Sequence, residues 1–354
     1  RDFVPRTIAF YNDELLLIKP DGKLVKIDAP NSAQKNVHNQ YLLLELREEL
    51  NVNGNTYSAG SLLATDFEKY MRGERDFTVL FAPSITTSLA GYSWTHNYLL
   101  LNVLDDVKNK ISVLDPSNKW QSTKLIGAPS IGTLSITAVD SDDTDDYFLT
   151  VTDYLTPTTL MLGAVGRAPE NLKQLPNFFD ASHHQITQSF VVSKDGARVP
   201  YFMVSAKNLV KDGNTPTLQS GYAGFEISLT PNYSASVGRA WLSQGGVFVV
   251  ANIRGGGEYG PRWHQAALKE NRLRAYEDFA AVAQDLIAQK ITTPKHLGIQ
   301  GGSNGGLLVG NMLVMYPKLF NAVVCQVPLL DMKRYHKLLA GASWMAEYGD
   351  PDSS

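Results

Sequence analysis

The sequence has a single cysteine, Cys325, so no disulfide bond can form within the chain. A cysteine-poor composition fits a reducing compartment, and we expect a cytoplasmic protein, with the periplasm as the alternative. No apolar run approaches the roughly 18 residues that a membrane-spanning helix needs, so no membrane partner is expected. The net charge is −3 and no basic stripe occurs, so nucleic acid is not an expected partner either.

Motifs that bind metals or phosphates are equally scarce. Neither an H-E-x-x-H zinc motif nor a G-K-[ST] phosphate loop occurs, and the adjacent pair His183-His184 lacks the spacing of a metal site. Residues 255–260 match G-x-G-x-x-G, but Glu277 and Asp278 fall within a helical pattern. A dinucleotide site needs its acid at the end of a second strand. We therefore predict no metal and no cofactor, and we interpret residues 255–260 as a structural loop.

What is present indicates a folded protein of two domains, because 44% of the 354 residues are hydrophobic and 19% are charged. The sequence begins with Arg1 and shows no signal-peptide pattern, so we interpret its start as a cut or processed end. Residues 1–180 contain short alternating runs, such as 14–18 and 147–152, with turn residues and no helical pattern between them. This arrangement is typical of a β-sandwich, a barrel or propeller blades.

Residues 181–354 show a different pattern, in which β-rich runs alternate with helical spacing. The runs at 247–251, 297–300 and 322–327 predict buried strands, and apolar residues between positions 276 and 287 recur at helical spacing. Such alternation indicates a mostly parallel, doubly wound sheet covered by helices on both faces. We therefore predict an α/β domain over residues 181–354.

The sequence Gly301-Gly302-Ser303-Asn304-Gly305 satisfies the G-x-S-x-G pattern of a nucleophile elbow. In that motif a tight strand-to-helix turn projects the serine hydroxyl above the sheet, and the glycines let strand and helix pass closely. A predicted strand precedes Ser303 and an apolar helical run follows it, which is the required context. Ser303 is therefore the candidate nucleophile, and the backbone N–H of Asn304 is a candidate oxyanion donor.

A second oxyanion donor is expected from the loop after an earlier strand. Residues 216–220, followed by Gly221-Tyr222-Ala223-Gly224-Phe225, fit that position. Small residues here would let the backbone approach a substrate. An ordinary glycine turn is the alternative interpretation.

Four stretches of the second half occur in combination: SKDG at 193–196, GYAGF at 221–225, ANIRGGGEYG at 251–260 and GGSNGGLLV at 301–309. Together with LDM at 330–332 and WMAEYG at 344–349, they make the chain from about residue 185 onward resemble the prolyl oligopeptidases. The resemblance implies an α/β-hydrolase catalytic domain capped by a seven-bladed β-propeller, whose last blades would be residues 1–180. It also implies an oxyanion hole formed by the hydroxyl of Tyr222 and the N–H of Asn304, beside the nucleophile Ser303.

The same resemblance places Phe225, Trp344 and Tyr348 in the family's aromatic pocket for proline, with Trp344 stacked on the proline ring. The chemistry agrees, because a flat apolar ring without a donor is best recognised by aromatic faces. Simple core packing is the alternative for these side chains. Asn304 favours the proline-specific branch over related oligopeptidases that cut after basic residues.

The catalytic triad is incomplete in this sequence. The fold places the acid and then the histidine after the serine, at the ends of later strands. Residues 304–354 contain one histidine, His336, and the aspartates Asp331, Asp350 and Asp352, but the span is too short for two further strands. We interpret His336 as structural and expect the triad Asp and His beyond residue 354, in a longer enzyme. The isolated chain is then expected to be inactive.

The function predicted from these features is a serine oligopeptidase that cleaves short peptides on the carboxyl side of proline through an acyl-enzyme on Ser303. Its expected partners are short proline-containing peptides, and the full-length protein is expected to be monomeric. One alternative is another serine hydrolase on the same fold, such as an esterase or an acyl-peptide-releasing peptidase. A second alternative is a non-catalytic propeller that binds partners and carries a vestigial hydrolase domain.

Overall fold

The computed structural model describes residues 1–130 and 132–353. Its strands before residue 180 all pair in antiparallel fashion, in most cases with the next strand along the chain. Their bounds are β1 Asp2–Ala9, β2 Asn12–Ile18, β3 Leu24–Lys26, β4 Gln34–His38, β5 Tyr41–Glu45, β6 Leu50–Val52, β7 Asn55–Tyr57, β8 Leu62–Asp66, β9 Thr78–Phe81, β10 Thr87–Trp94, β11 Leu99–Asp105, β12 Lys108–Asp115, β13 Gln121–Lys124, β14 Thr133–Ala138, β15 Asp146–Thr152, β16 Thr159–Ala164 and β17 Glu170–Gln174.

These strands form one three-stranded sheet, β1-β2-β3, and three four-stranded sheets, while β6 and β7 form a separate ribbon. The four-stranded sheets have the orders β4-β5-β8-β9, β10-β11-β12-β13 and β14-β15-β16-β17. Side chains alternate along the strands, so that Leu134 and Ile136 of β14 are buried and share a core with Leu100 and Val113 of the preceding sheet. Antiparallel sheets that stack face to face in chain order have the arrangement of propeller blades.

A short helix interrupts this half, although the sequence pattern predicted none. Helix α1, Phe67–Met71, begins after Asp66, whose side chain accepts a hydrogen bond from the N–H of Lys69 at 2.9 Å. Its buried residues, Phe67 and Tyr70, pack into the core below β5 and β8. A single turn with two buried residues is too short to show a helical period, which explains the difference.

The second half contains one six-stranded sheet of order β18-β19-β21-β20-β22-β23. Strand β19 runs antiparallel to both of its neighbours, β18 and β21. Strands β21, β20, β22 and β23 run parallel to one another. The bounds are β18 His184–Val192, β19 Arg198–Ala206, β20 Thr217–Ser220, β21 Val247–Ala251, β22 Leu297–Gly302 and β23 Ala322–Gln326. All five residues of β21 are buried, as expected for a strand covered on both faces.

Helices cover this sheet, and the loop that contains Ser303 lies at its carboxyl edge. The bounds are α2 Ala235–Ala240, α3 Pro261–Gln265, α4 Leu273–Ala288, α5 Asn304–Met315 and α6 Met345–Tyr348, with short 3-10 turns at Pro116–Asn118, Leu242–Gln244, Lys269–Asn271, Pro294–His296, Tyr335–Lys337 and Gly341–Trp344. Phe279 of α4 and Val309 of α5 pack against Val249 and Ile299 of the sheet. None of the described helices is both long and apolar enough to cross a lipid bilayer.

A buried ion pair fastens the loop after β21 to helix α4. The guanidinium of Arg254 donates to both carboxylate oxygens of Asp278, at 2.6 and 2.9 Å, and Asp278 is fully buried. Arg254 also pairs with Asp195, in the β18–β19 turn. These contacts hold three chain segments together at the carboxyl edge of the sheet.

We expect Asp278→Asn to lower the free energy of unfolding by about 3 kcal/mol, because it leaves a buried guanidinium without its main counter-charge. The neighbouring Glu277 supplies a matched control, since it pairs with the exposed Lys194 at 2.9 Å. Glu277→Gln should change stability by less than about 1 kcal/mol. Urea denaturation of the two variants measures the difference, and equal midpoints would show that the buried pair adds nothing.

Candidate active site

Ser303 lies on the tight turn between β22 and α5. Its backbone angles are φ 56° and ψ −119°, in a region that residues other than glycine rarely adopt. The N–H of Ser303 donates to the carbonyl of Gln326 at 3.0 Å, and the side chain is exposed at the carboxyl edge of the sheet. A strained and exposed serine between strand and helix has the geometry of a nucleophile elbow.

The two glycines of the motif are required because backbone atoms fill the space beside them. A Cβ at Gly301 would lie 2.2 Å from the carbonyl oxygen of Gly305, and one at Gly305 would lie 2.6 Å from that of Gly221. Side chains do not fit at such distances. Glycine therefore lets β22, α5 and the loop after β20 meet at one point.

We call residues 221–226, which follow β20, the 221–226 loop. Strands β20 and β22 are parallel neighbours, with Ser220 paired to Gln300, so the loop and the elbow leave the same edge of the sheet. The phenol of Tyr222 lies near the side chain of Ser303, and burial raises the pKa of Tyr222. The phenol thus stays protonated and can donate a hydrogen bond next to Ser303.

Asn304 holds the 221–226 loop from the helix side. Its buried side chain donates to the Tyr222 carbonyl at 2.6 Å and accepts from the Tyr348 hydroxyl at 2.6 Å. A Cβ at Gly224 would lie 2.4 Å from the same side-chain nitrogen, so the loop passes close to Asn304. The N–H of Asn304 lies in the first turn of α5, where backbone donors have no intrahelical acceptor.

Two of the three predicted aromatic residues, Phe225 and Tyr348, contact each other at this loop. The rings of Phe225 and Tyr348 are 5.8 Å apart in an edge-to-face arrangement, and Phe10, from the turn between β1 and β2, lies 5.3 Å from Phe225. Trp344 ends the turn that precedes α6. Phe225, Trp344 and Tyr348 are each partly exposed. Their assignment to a proline pocket stays a prediction.

A buried polar cluster behind the loop escaped the sequence analysis. We call it the interface cluster, and its members are Tyr11, Arg47, Glu226, His264, Arg272 and Glu347. The fully buried carboxylate of Glu347 accepts hydrogen bonds from Tyr11 at 2.6 Å, from His264 at 2.7 Å and from Arg272 at 3.0 Å. Tyr11 and Glu347 are 336 residues apart in the chain, so no local motif could have indicated their contact.

The electrostatics of the interface cluster define its protonation. Burial pulls the pKa of Glu347 upward, but the hydrogen bond from His264 and the charge of Arg272 hold it below its usual range. Burial lowers the pKa of His264, whose Nδ1 lies 2.7 Å from the Arg47 guanidinium. Because a guanidinium only donates, Nδ1 must accept, and Nε2 carries the proton that faces Glu347. His264 is therefore neutral, and both of its ring nitrogens are occupied.

No histidine in the described part of the chain forms a hydrogen bond with Ser303. His264 is committed to the interface cluster, and Nε2 of His336 lies 3.1 Å from a carboxylate oxygen of Asp352. Asp331 pairs with Arg334 on its own turn. The location of the triad acid and base stays a prediction.

The glycine-rich stretch 255–260 packs against the 221–226 loop. A Cβ at Gly255 would lie 2.5 Å from the carbonyl oxygen of Ala223, and one at Gly257 would lie 2.2 Å from that of Glu226. Asp278 binds Arg254 in this structure instead of facing a ligand. These glycines therefore serve close backbone packing, which agrees with their interpretation as a structural loop.

A cavity of about 450 Å³ lies between the stacked β-sheets and the six-stranded sheet. Glu45, Asn102 and Asn109 line it from the first half, and Glu226, Ser228 and Gly257 line it from the second. Glu226 belongs to the 221–226 loop, so the cavity adjoins the site.

Comparison with known proteins matches residues 233–354 to the model of the prolyl oligopeptidase family. An uncharacterized peptidase of Sinorhizobium fredii, y4nA, is 42% identical over 98% of this chain and 49% of its own length. The prolyl endopeptidase of Elizabethkingia miricola is 34% identical over 73% of this chain and 36% of its own length.

The solved structure of a post-proline cleaving enzyme from Rickettsia typhi superposes with a TM-score of 0.89 and 34% identity, over 99% of this chain and 52% of that enzyme. The chain thus spans about half the length of the first relative and about half of this structure. The predicted combination of a β-propeller with an α/β-hydrolase domain is confirmed.

We expect Gly301→Ala to lower the free energy of unfolding by about 1–3 kcal/mol or more, because its Cβ would press on backbone that cannot move aside easily. Gly298 lies on the same strand, where a Cβ would find no atom closer than 3.6 Å. Gly298→Ala is therefore the matched control and should leave stability nearly unchanged. Thermal unfolding of both variants measures the effect; equal losses would contradict the packing argument.

Proposed function

This chain belongs to the prolyl oligopeptidase family, and from that premise we propose that it acts as a serine endopeptidase. Its substrates are short peptides, which it cleaves on the carboxyl side of proline. The single observation that carries the proposal is the strained, exposed Ser303 with the protonated Tyr222 phenol beside it.

The reaction begins when the Ser303 oxygen attacks the carbonyl carbon of the proline residue. Its proton passes to a base, which we expect to be the triad histidine beyond residue 354. The carbonyl oxygen becomes an oxyanion, for which the Tyr222 hydroxyl and the N–H of Asn304 are the donors. Collapse of this intermediate breaks the peptide bond, and the leaving amine takes up the proton. Water then hydrolyses the acyl-enzyme.

Proline is selected by a pocket that offers aromatic faces and few donors. The edge-to-face pair of Phe225 and Tyr348 supports this assignment, because its partly exposed rings lie on and beside the 221–226 loop. Trp344 supplies the face that stacks on the proline ring. A tyrosine hydroxyl at the edge adds a single polar group without disturbing apolar contact.

Short peptides are the proposed substrates because a cavity between the two domains adjoins the 221–226 loop, which carries Tyr222. The cavity of about 450 Å³ is lined from both domains, and this volume is typical of sites for small ligands. A folded protein is far larger than this cavity.

We expect the protein, expressed from its complete natural gene, to cleave a fluorogenic peptide with proline before the scissile bond, and Ser303→Ala to abolish cleavage. The matched peptide with alanine at that position should be cleaved at least about tenfold more slowly, because it lacks the ring that the pocket contacts. Equal rates for the two peptides would instead favour a general peptidase or an esterase. Absence of Ser303-dependent turnover and of labelling by a fluorophosphonate would favour a binding module.

We expect Tyr222→Phe to lower kcat by about a hundredfold with little change in KM, because an oxyanion donor acts mainly in the transition state. Tyr233→Phe is a control of the same chemistry, since the Tyr233 hydroxyl accepts a hydrogen bond from the N–H of Phe178 at 2.9 Å, on a different loop. Steady-state kinetics with the proline peptide measures both. Similar kcat values for the two variants would remove Tyr222 from the oxyanion hole.

A further inference from the structure

The 221–226 loop holds three residues other than glycine in a left-handed conformation. The angle φ is 66° at Ala223, 56° at Phe225 and 59° at Glu226. Such residues are unfavourable and persist only where their surroundings impose the conformation. Because Tyr222 lies on the same loop, whatever imposes this conformation also sets the direction of its phenol.

Charged side chains of the interface cluster contact each of these residues. Oε1 of Glu347 accepts the N–H of Phe225 at 3.1 Å. Arg272 donates to the carbonyl of Ala223, and the same guanidinium binds Glu347. The side chain of Glu226 pairs with Arg47, which belongs to the propeller. The strained loop is thus held at three residues, and the partner of one of them, Arg47, lies in the propeller.

The second oxygen of Glu347 faces the propeller. Tyr11, in the turn between β1 and β2, donates to Oε2 at 2.6 Å, and the Arg47 guanidinium lies 3.7 Å from the centre of the Tyr11 ring. His264 donates to the same oxygen while it accepts from Arg47. Two chains of hydrogen bonds therefore lead from the propeller to Glu347, one through Tyr11 and one through His264.

We propose that Glu347 is a positioning residue that couples the positions of the propeller residues Tyr11 and Arg47 to the conformation of the 221–226 loop. One carboxylate oxygen holds the loop at Phe225, and the other binds the donors that the propeller presents or orients. When Tyr11 and Arg47 are in place, the loop stays strained and Tyr222 faces Ser303. When they withdraw, the carboxylate loses its propeller donors and the loop can relax.

The same propeller turn also reaches the proposed proline pocket, which strengthens the coupling. Phe10 precedes Tyr11 and packs 5.3 Å from Phe225. A displacement of this turn would therefore alter Phe225 from two sides, through its ring and through its backbone N–H. The proposal rests on the proposed function, because catalysis at Ser303 is what the coupling controls.

A purely structural role for Glu347 makes different predictions. If the carboxylate only neutralises Arg272, its loss reduces the folded fraction, and kcat per active site stays constant. A positioning role reduces kcat per active site in protein that is fully folded, with little change in KM. The two roles also differ in the effect of Tyr11, which contributes a hydroxyl to the cluster and no charge.

The first test is Tyr11→Phe in the protein expressed from its complete natural gene. The change removes the hydroxyl that binds Glu347 and keeps the ring that Arg47 covers. Tyr70→Phe is the matched control, since the Tyr70 hydroxyl donates to the Asp28 carbonyl at 2.5 Å and Arg75 lies 3.9 Å from its ring centre. We expect Tyr11→Phe to lower kcat roughly tenfold at constant KM, against roughly a hundredfold for direct loss of an oxyanion donor. Tyr70→Phe should have no effect.

The second test is a double-mutant cycle with Glu347→Gln. If Tyr11 acts through Glu347, the variant with both changes should be no slower than Glu347→Gln alone. Additive losses, or a kcat for Tyr11→Phe equal to that of Tyr70→Phe, would overturn the proposal. Should Glu347→Gln fail to fold, the comparison of Tyr11→Phe with Tyr70→Phe decides alone.

A separate readout distinguishes this proposal from the proposed function. The rate at which a fluorophosphonate labels Ser303 reports the oxyanion hole without any requirement for proline. If the wild-type protein shows no preference for proline, the proposed substrate class fails. A labelling rate lowered by Tyr11→Phe and unaffected by Tyr70→Phe would still support the coupling, whereas equal labelling rates would overturn it.

Discussion

Close approach of backbone to backbone, without side chains between, is the constraint on which the site depends. The elbow needs Gly301 and Gly305 because strand and helix touch there, and Gly305 in turn touches the carbonyl of Gly221. A similar backbone contact joins the next segment, since Gly255 lies against the carbonyl of Ala223. Three chain segments far apart in sequence are thus packed by their main chains. Their relative positions then depend on peptide geometry, which is stiffer than side-chain packing.

This packing carries strain that the rest of the molecule must offset. Ser303 and three residues of the 221–226 loop are left-handed without being glycine, and such residues typically cost about 1–3 kcal/mol each. Buried polar contacts surround them: the pair of Arg254 with Asp278 behind the glycine-rich loop, and the interface cluster behind Phe225. The carboxylates of Asp278 and Glu347, which are removed from water there, each pair with a guanidinium. That pairing is the condition under which buried charges do not destabilise a fold.

Local features of the site could be predicted from the sequence, and contacts between distant segments could not. The spacing around Ser303 indicated the elbow because strand, glycine and helix signals all lie within about twenty residues. Helix α5 begins at Asn304, directly after the serine, although Gly305 and Gly306 in its first turn are poor helix formers. The loop that carries Tyr222 was indicated by its small residues, whereas the role of the Tyr222 hydroxyl and of the aromatic residues was indicated by resemblance alone. The structure places Tyr222 near Ser303.

The interface cluster shows why contacts between distant segments could not be predicted from the sequence. Tyr11 and Arg47 lie in turns of the β-rich half, His264 on a five-residue helix, and Glu347 on a four-residue helix. Glu347 lies in the WMAEYG stretch, but nothing in that stretch indicates its partners. The polar character of all four residues suits an exposed turn as well as a buried contact. Contact between the propeller and the hydrolase domain brings these residues together. Burial then makes an unpaired polar group unfavourable, which favours the arrangement in which Tyr11, His264 and Arg272 all bind Glu347. The propeller residues Tyr11 and Arg47 thereby contact the same carboxylates that hold the 221–226 loop. It follows that part of the scaffold that holds the 221–226 loop, with the proposed oxyanion donor Tyr222, lies on the propeller itself.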